Sequence, residues 1–380
     1  MDFCPRCMRT VSGPHCPYCN ADVNIQNSSD QLPVGAELQG NRSRYQVGVA
    51  LGQGGFGITY IARDCNSGQR VAVKEFFPVK PQWVYRSPVD HITTVVNPGN
   101  ESAYNKGRMS FLKEAQVLST LENSPAEVVK GIDYMEINNT AYLVMEYIEG
   151  PTLGKLVQMN GKLSASELLP RMRPLLEAIS WLHKLNPPIL HRDLSPANII
   201  WTPNNVLKVI DFGSARFADG SVMTGYLSPD FAPVEQWQSS SNAQGSWTDV
   251  YTIAASIYFA LTGQKPPASR VSAFFGDIPD PLQSPISLGA DISPEQEKVL
   301  LHAMEIKPKD RIRTMDEFIS ELYSAAPVRP NDRVKVVITP EPPTPTPIPP
   351  QPVIPTPPQP EPKPRGILGF LKSLFGFGGN

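Results

Sequence analysis

The residues best equipped for chemistry lie between Lys74 and Gly213. His191-Arg192-Asp193 precedes Asn198 at a fixed five-residue offset from the aspartate, and Asn205-Val206-Leu207-Lys208-Val209-Ile210 reads as a strand ending in Asp211-Phe212-Gly213. An acid delivered at the end of a buried strand, beside a glycine that lets the chain turn, suits Mg²⁺, which takes hard oxygen ligands. Asn198 can give a second oxygen. Asp193 can orient an attacking hydroxyl and take its proton. Together these groups suit activation of a hydroxyl beside a bound cation.

Upstream, Gly52-Gln53-Gly54-Gly55-Phe56-Gly57 follows an apolar, strand-like stretch that includes Leu51. Glycines let a backbone approach phosphates without Cβ clashes and offer N–H donors. A dinucleotide-binding turn shares the G-x-G-x-x-G spacing but opens a helix. Here Ile58-Thr59-Tyr60-Ile61 follows, so the loop joins two strands. It is not a Walker A loop, since no Gly-Lys-Ser/Thr follows. Lys74 ends Val71-Ala72-Val73-Lys74, and a cation at the end of a buried strand needs an anionic partner. Glu114 is the expected one. Phe111, Glu114 and Leu118 are three and four apart and share a helix face. A glutamate at the stripe's edge that simply reaches solvent is the bland alternative.

Taken together, the glycine loop, V-A-V-K, H-R-D with Asn198, and D-F-G resemble the eukaryotic-like protein kinases of bacteria over roughly residues 45 to 325. The resemblance implies ATP and Mg²⁺ as cofactors and proteins as substrates. It gives Lys74 the α- and β-phosphates, with Glu114 on the family's C helix as its partner. Asp193 becomes the catalytic base, and Asn198 and Asp211 the metal ligands. It places the nucleotide against Leu51, Gly52, Gln53, Gly54, Gly55, Phe56, Gly57, Thr59 and Ala72. Met145, Glu146 and Ile148 form the gatekeeper and hinge. Glu235 of Ala232-Pro233-Val234-Glu235 pairs with Arg311, Asp249 braces the catalytic loop, and Leu118, His191 and Phe212 lie along the regulatory spine.

The sequence departs from the family in three places. Ser195 stands where a lysine usually touches the transferring phosphate, which removes one charge-assisted contact. A bacterial subgroup with H-R-D-x-S-P-x-N and K-E-[YF]-F-P is similar here, and Lys74-Glu75-Phe76-Phe77-Pro78 fits it. Thr59 replaces a valine, and Val234 a proline. Ser228-Pro229 resembles the Thr-Pro of serine/threonine kinases, and Ser221 or Thr224 is the expected site of an activating phosphate near Arg192.

A second chemistry lies at the N-terminus. Cys4-Pro5-Arg6-Cys7 and Cys16-Pro17-Tyr18-Cys19 are two C-x-x-C knuckles, and four of the five cysteines fall within them. Four thiolates close a tetrahedral structural Zn²⁺ site with no open position. A redox reading needs a thioredoxin-like fold that so short a segment cannot build. His15 is a competing ligand, and Cys65 reads as a turn residue.

The elements that must position these groups follow from periodicity. Val71-Ala72-Val73 and Ala141-Tyr142-Leu143-Val144-Met145 predict strands; Leu168 to Leu182, Asp249 to Leu261 and Glu295 to Met304 predict helices. The expected fold is α+β, two-lobed, strand-rich then helical, behind a small zinc ribbon. The expected organisation is ribbon 1–22, polar linker 23–42 uncoupling it from a kinase domain at 43–326, proline-rich disordered stretch 327–365, and amphipathic segment 366–380. The long connection from Glu75 to Asn105 has no assigned role.

The 380 residues carry a formal net charge of −2, so no basic field argues for nucleic acid. No apolar run reaches the roughly 18 residues of a membrane span, and no secretory signal is visible, which predicts a cytoplasmic protein. Residues 366–380 could lie on a membrane surface or, like the ribbon, dock a protein partner. The expected function is phosphorylation of protein serine and threonine hydroxyls. A nucleotide-binding pseudokinase scaffold is the alternative, supported by Ser195 alone, and a small-molecule phosphotransferase lacks reason for the Ala232–Glu235 element.

Overall fold

The computed structural model describes residues 3–324, except 80–81, 122, 213–215, 218–229, 238–242, 269 and 277. The proline-rich stretch, the amphipathic segment, Ser221, Thr224 and Ser228 therefore lie outside the described residues.

The first lobe is built on one antiparallel sheet of order β1-β2-β3-β4-β8-β7. Its strands are β1 (Glu37–Gln39), β2 (Arg44–Gln53), β3 (Gly57–Asp64), β4 (Arg70–Phe76), β7 (Gly131–Ile137) and β8 (Thr140–Glu146). A hairpin of β5 (Val84–Arg86) and β6 (Thr94–Val96) and the long helix α1 (Glu101–Thr120) fall between β4 and β7. Branched and aromatic residues dominate these strands because they pack well on a pleated surface. Central β4 is nearly all buried, with Thr59 opposite Lys74 on one side and Met145 opposite Ala72 on the other.

The second lobe is helical: α2 (Leu153–Asn160), α3 (Ala165–His183), α4 (Val234–Trp237), α5 (Ser246–Thr262), α6 (Arg270–Phe274), α7 (Pro294–Ala303) and α8 (Met315–Ser324). Short strands β9 (Ile189–Leu190), β10 (Ile199–Trp201), β11 (Leu207–Val209) and β12 (Arg216–Phe217) carry the catalytic segments as two small ladders, β10 with β11 and β9 with β12. Helix α5 is buried almost all round, Val250 to Leu261, which makes it the post around which the lobe packs.

The segment 23–42 is not a free linker. It supplies β1, its Leu32 and Leu38 are fully buried, and the Leu32 N–H donates to the Tyr60 hydroxyl oxygen at 3.0 Å. Two apolar anchors and backbone pairing suffice to fasten it, which a polar composition conceals. The connection after Glu75 is ordered too: β5 and β6 lie against the first lobe, and Phe76 packs on Tyr104 and Phe111 of α1 at centroid distances of 5.4 and 5.8 Å.

Candidate active site and metal centre

Lys74 projects from β4, whose pleat sends alternate residues to opposite faces. Its ammonium forms an ion pair with Asp211, at the end of the β11 segment. Burial opposes its charge, but Asp211 and Glu114 more than compensate, and its pKa is raised. The expected Lys74–Glu114 contact is not what the structure holds. Glu114 lies close enough to feel both charges, yet its buried Oε1 has no hydrogen-bond partner among the described residues. Burial, only partly offset by Lys74 and reinforced by Asp211, pushes its carboxyl from 4.5 to about 7. The physical reason is competition: one ammonium faces two carboxylates, and it pairs with the one that comes within contact.

The catalytic loop is fixed from below. The carboxylate of Asp249, on α5, accepts the N–H of His191 at 2.8 Å and of Arg192 at 2.6 Å, and His183 Nε2 also binds it at 2.8 Å. Burial opposes the Asp249 charge, but these donors win and its pKa falls. His191 is fully buried, which lowers its pKa and keeps it neutral. Neutral imidazole has one donor and one acceptor. The Asp193 N–H reaches Nδ1 at 3.3 Å, so Nε2 carries the proton and donates to the Ile210 carbonyl at 3.2 Å. That one ring joins the loop bearing Asp193 to the strand end bearing Asp211, and stacks edge-on to Phe212 at 4.7 Å. Arg192 and Asp211 both take positive φ, 69° and 62°, a strained conformation for side-chain-bearing residues.

Asn198 donates its amide nitrogen to the Asp193 Oδ2 at 2.9 Å and to the Asp193 carbonyl at 3.0 Å. The Asp193 carboxylate is thereby oriented, and the Asn198 amide oxygen is the atom suited to a cation. Acid Asp211 and amide Asn198 are thus a hard-oxygen donor set that fits Mg²⁺. Ser195 is buried, and its hydroxyl has no hydrogen-bond partner among the described residues. Glu235 and Arg311 form a buried ion pair at 2.7 Å, as the sequence predicts.

The glycine loop closes on itself through Gly54 N–H to the Gly57 carbonyl at 2.9 Å. Gly57 must be glycine: a Cβ there would sit 2.6 Å from the Glu75 carbonyl oxygen. Phe56 meets Trp83 edge-on at 6.0 Å, so the loop tip touches the β5–β6 insert. At the end of β8, Met145 is buried beside Ala72, and the Glu146 carboxylate is held by Lys208 at 2.7 Å.

Sequence reasoning missed a cluster on the other face of β4. Glu75 is fully buried and accepts from both terminal nitrogens of Arg86 at 2.8 Å, from Tyr60 at 3.0 Å and from Tyr142 at 3.1 Å. Arg86 also donates to the carbonyls of Ile92 and Asp30. The signal was present in Lys74-Glu75: two opposite charges on successive strand residues must face opposite ways.

At the N-terminus each knuckle is a small hairpin, bridged Phe3 to Thr10 and His15 to Asp22, with Met8 and Asn20 at the same positive φ of 56°. The sulfurs of Cys4, Cys7, Cys16 and Cys19 all lie within 4.8 Å of one another, with Cys4–Cys19 and Cys7–Cys16 at 3.5 Å. Tetrahedral zinc with bonds of about 2.3 Å needs sulfurs roughly 3.8 Å apart, so the cluster fits that ion. Burial works against the Cys16 thiolate, but backbone N–H donors at Tyr18 and Cys19 bring its pKa to about 7. His15 is exposed and outside the cluster.

Residues 45–324 match the protein kinase domain family, and the chain belongs to it. It is 31% identical over 290 residues to a probable serine/threonine-protein kinase of Streptomyces coelicolor, covering 72% of this chain and 38% of that one. It is 30% identical over 321 residues to serine/threonine-protein kinase PknB of Mycolicibacterium smegmatis, covering 78% and 45%. The chain therefore spans less than half the length of these curated relatives. Among solved structures, the apo form of PpkA-294 superimposes with a TM-score of 0.64 at 29% identity, covering 77% of this chain and 99% of that one. No described helix is long and apolar enough to cross a membrane.

Proposed function

We propose that the chain transfers the γ-phosphoryl group of ATP to serine or threonine hydroxyls of protein substrates, with Mg²⁺ as the working ion and Zn²⁺ as a structural one. The observation that supports this reading best is the convergence of Lys74, Asp193, Asn198 and Asp211 from three separate segments: β4, the loop between β9 and β10, and the end of β11. Such convergence has no evident purpose in a scaffold.

In this reading the sheet side of the cleft takes the nucleotide. Glycines 52, 54, 55 and 57 let the backbone approach the phosphates, with Leu51, Gln53, Phe56, Thr59 and Ala72 around them. Met145, Glu146 and Ile148 receive adenine. Asn198 and Asp211 would hold Mg²⁺, which when bound neutralises charge on the phosphate oxygens. Lys74 turns its ammonium to the α- and β-phosphates. Asp193, oriented by Asn198, accepts the proton of the substrate hydroxyl as that oxygen attacks the γ-phosphorus, whose bond to the β–γ bridging oxygen breaks and releases ADP. No cation replaces the family's lysine at Ser195, which is buried. The test is incubation with γ-labelled ATP, Mg²⁺ and a serine/threonine peptide mixture, followed by phosphosite mapping. Label on serine or threonine supports the reading, whereas ATP bound without transfer to any acceptor returns the pseudokinase scaffold.

A further inference from the structure

The outer edge of β2, which leads straight into the glycine loop, is paired along its length by the N-terminal extension. Strand β1 covers Arg44 to Gln46, and Ala36 and Gly35 continue the ladder at Val47. Beyond Val47 the β2–β3 register breaks into an irregularity that runs to Gly52. A bulge leaves backbone groups without ladder partners. Here they are taken up from outside the sheet. The Val49 N–H donates to the Pro5 carbonyl at 2.9 Å. Asn27 donates to the Gly48 carbonyl at 3.0 Å and accepts from the Ala50 N–H at 3.1 Å. Gln31 then donates to the side chain of Gln53, inside the glycine loop, at 2.9 Å.

Pro5 lies within the first knuckle, between Cys4 and Cys7. The carbonyl that completes the bulge therefore belongs to the loop that four thiolates would wrap round one ion. The fit at this contact is close. Met8 is buried, and a Cβ on Gly48 would collide with the Pro5 carbonyl oxygen and sit 2.5 Å from the Met8 Cε. Arg9 also reaches Glu149, just past the hinge, at 3.8 Å, an exposed pair that contributes little energy.

We infer that the ribbon is a metal-dependent positioning element for the nucleotide site: an ion on Cys4, Cys7, Cys16 and Cys19 fixes the Pro5 carbonyl, which fixes the β2 bulge and so the aim of the glycine loop. The inference rests on the kinase and zinc readings above. Coupling between two sites is reciprocal, so zinc tightens nucleotide by the same factor as nucleotide tightens zinc.

The test uses the full chain. Calorimetry gives Kd for a non-hydrolysable ATP analogue with Mg²⁺, before and after zinc is stripped and after it is restored. Competition with a chromophoric chelator gives zinc affinity with and without the analogue. Stripping should raise nucleotide Kd about tenfold, within the ordinary span of coupling energies, and zinc affinity should rise by an equal factor with analogue bound. Gly48→Ala keeps all four thiolates and pushes the Pro5 carbonyl away. It should retain one zinc per chain, reproduce the loss of nucleotide affinity, and make stripping without further effect. Wild-type Kd in the stripped protein, or in zinc-loaded Gly48→Ala, overturns the inference while leaving the kinase reading intact. Failure of the zinc-loaded wild type to bind the analogue overturns both. Absence of metal from the purified protein overturns it through the zinc reading alone.

Discussion

Glu75 and Arg86 form a bidentate ion pair at 2.8 Å, sealed on the face of β4 that turns away from the cleft. It ties the β5–β6 insert to the strand that carries Lys74, and the Asp30 carbonyl to both. A buried pair with all its hydrogen bonds filled tolerates loss of neither partner.

Arg86→Met should therefore destabilise the protein by about 3–5 kcal/mol, because it strands a buried carboxylate. Glu75→Gln/Arg86→Met should cost less than the sum of its single changes. Urea unfolding of the three variants decides it, and strict additivity would show that the two side chains act independently.

Asp193→Asn and Asp211→Ala should each reduce phosphoryl transfer on the order of 10³-fold or more, with the fold kept. Lys74→Met should act in the same direction. Single-turnover rates with labelled ATP, beside thermal melts, separate lost chemistry from lost folding. A wild-type rate in Asp211→Ala would remove that residue from the mechanism.

The pH dependence of the nucleotide-free protein should carry the signature of Glu114. Its folded pKa is raised, from 4.5 to about 7, so the folded state binds the proton more tightly than the unfolded one. The associated stability is complete below about pH 4.5 and lost as pH rises through about 7. Glu114→Gln, which cannot ionise, should lose this slope, worth about 1–3 kcal/mol across the window. Parallel stability profiles for wild type and variant would contradict the assignment.

Ser195→Ala should leave stability within about 0.5 kcal/mol of wild type or raise it, because the buried hydroxyl has no hydrogen-bond partner among the described residues. A loss of about 2 kcal/mol in chemical denaturation would mean that the hydroxyl does have a partner.

The sequence is most informative where chemistry restricts residue type. The grouping of Lys74, Asp193, Asn198 and Asp211 is legible because the order of these residue types along the chain is distinctive, and the structure brings their side chains together. The lobes are legible from periodicity: α3 and α5 run within a few residues of their predicted spans. The Glu235–Arg311 pair follows from the family resemblance. The partner of Lys74 is not legible, since the placement of α1 against β4 decides between two carboxylates. Residues 23–42 hide their role for another reason. They are fastened by two isolated leucines, Leu32 and Leu38, by main-chain groups and by the amides of Asn27 and Gln31, a combination that imposes no hydrophobic period. Arg86 stands alone in sequence, and only the hairpin that folds it back reveals its neighbour.

Lys74 and Glu75 also act as a proofreader of strand alignment. Because side chains alternate along β4, a slip by one residue would exchange them. The carboxylate would then face Asp211 and Glu114, and the ammonium would be driven against Arg86 in a sealed compartment. Both swaps bring like charges together out of water. A hydrophobic strand can often find a second acceptable pairing; this one has its misaligned state penalised on both faces at once, by the same two residues that serve it when correctly paired.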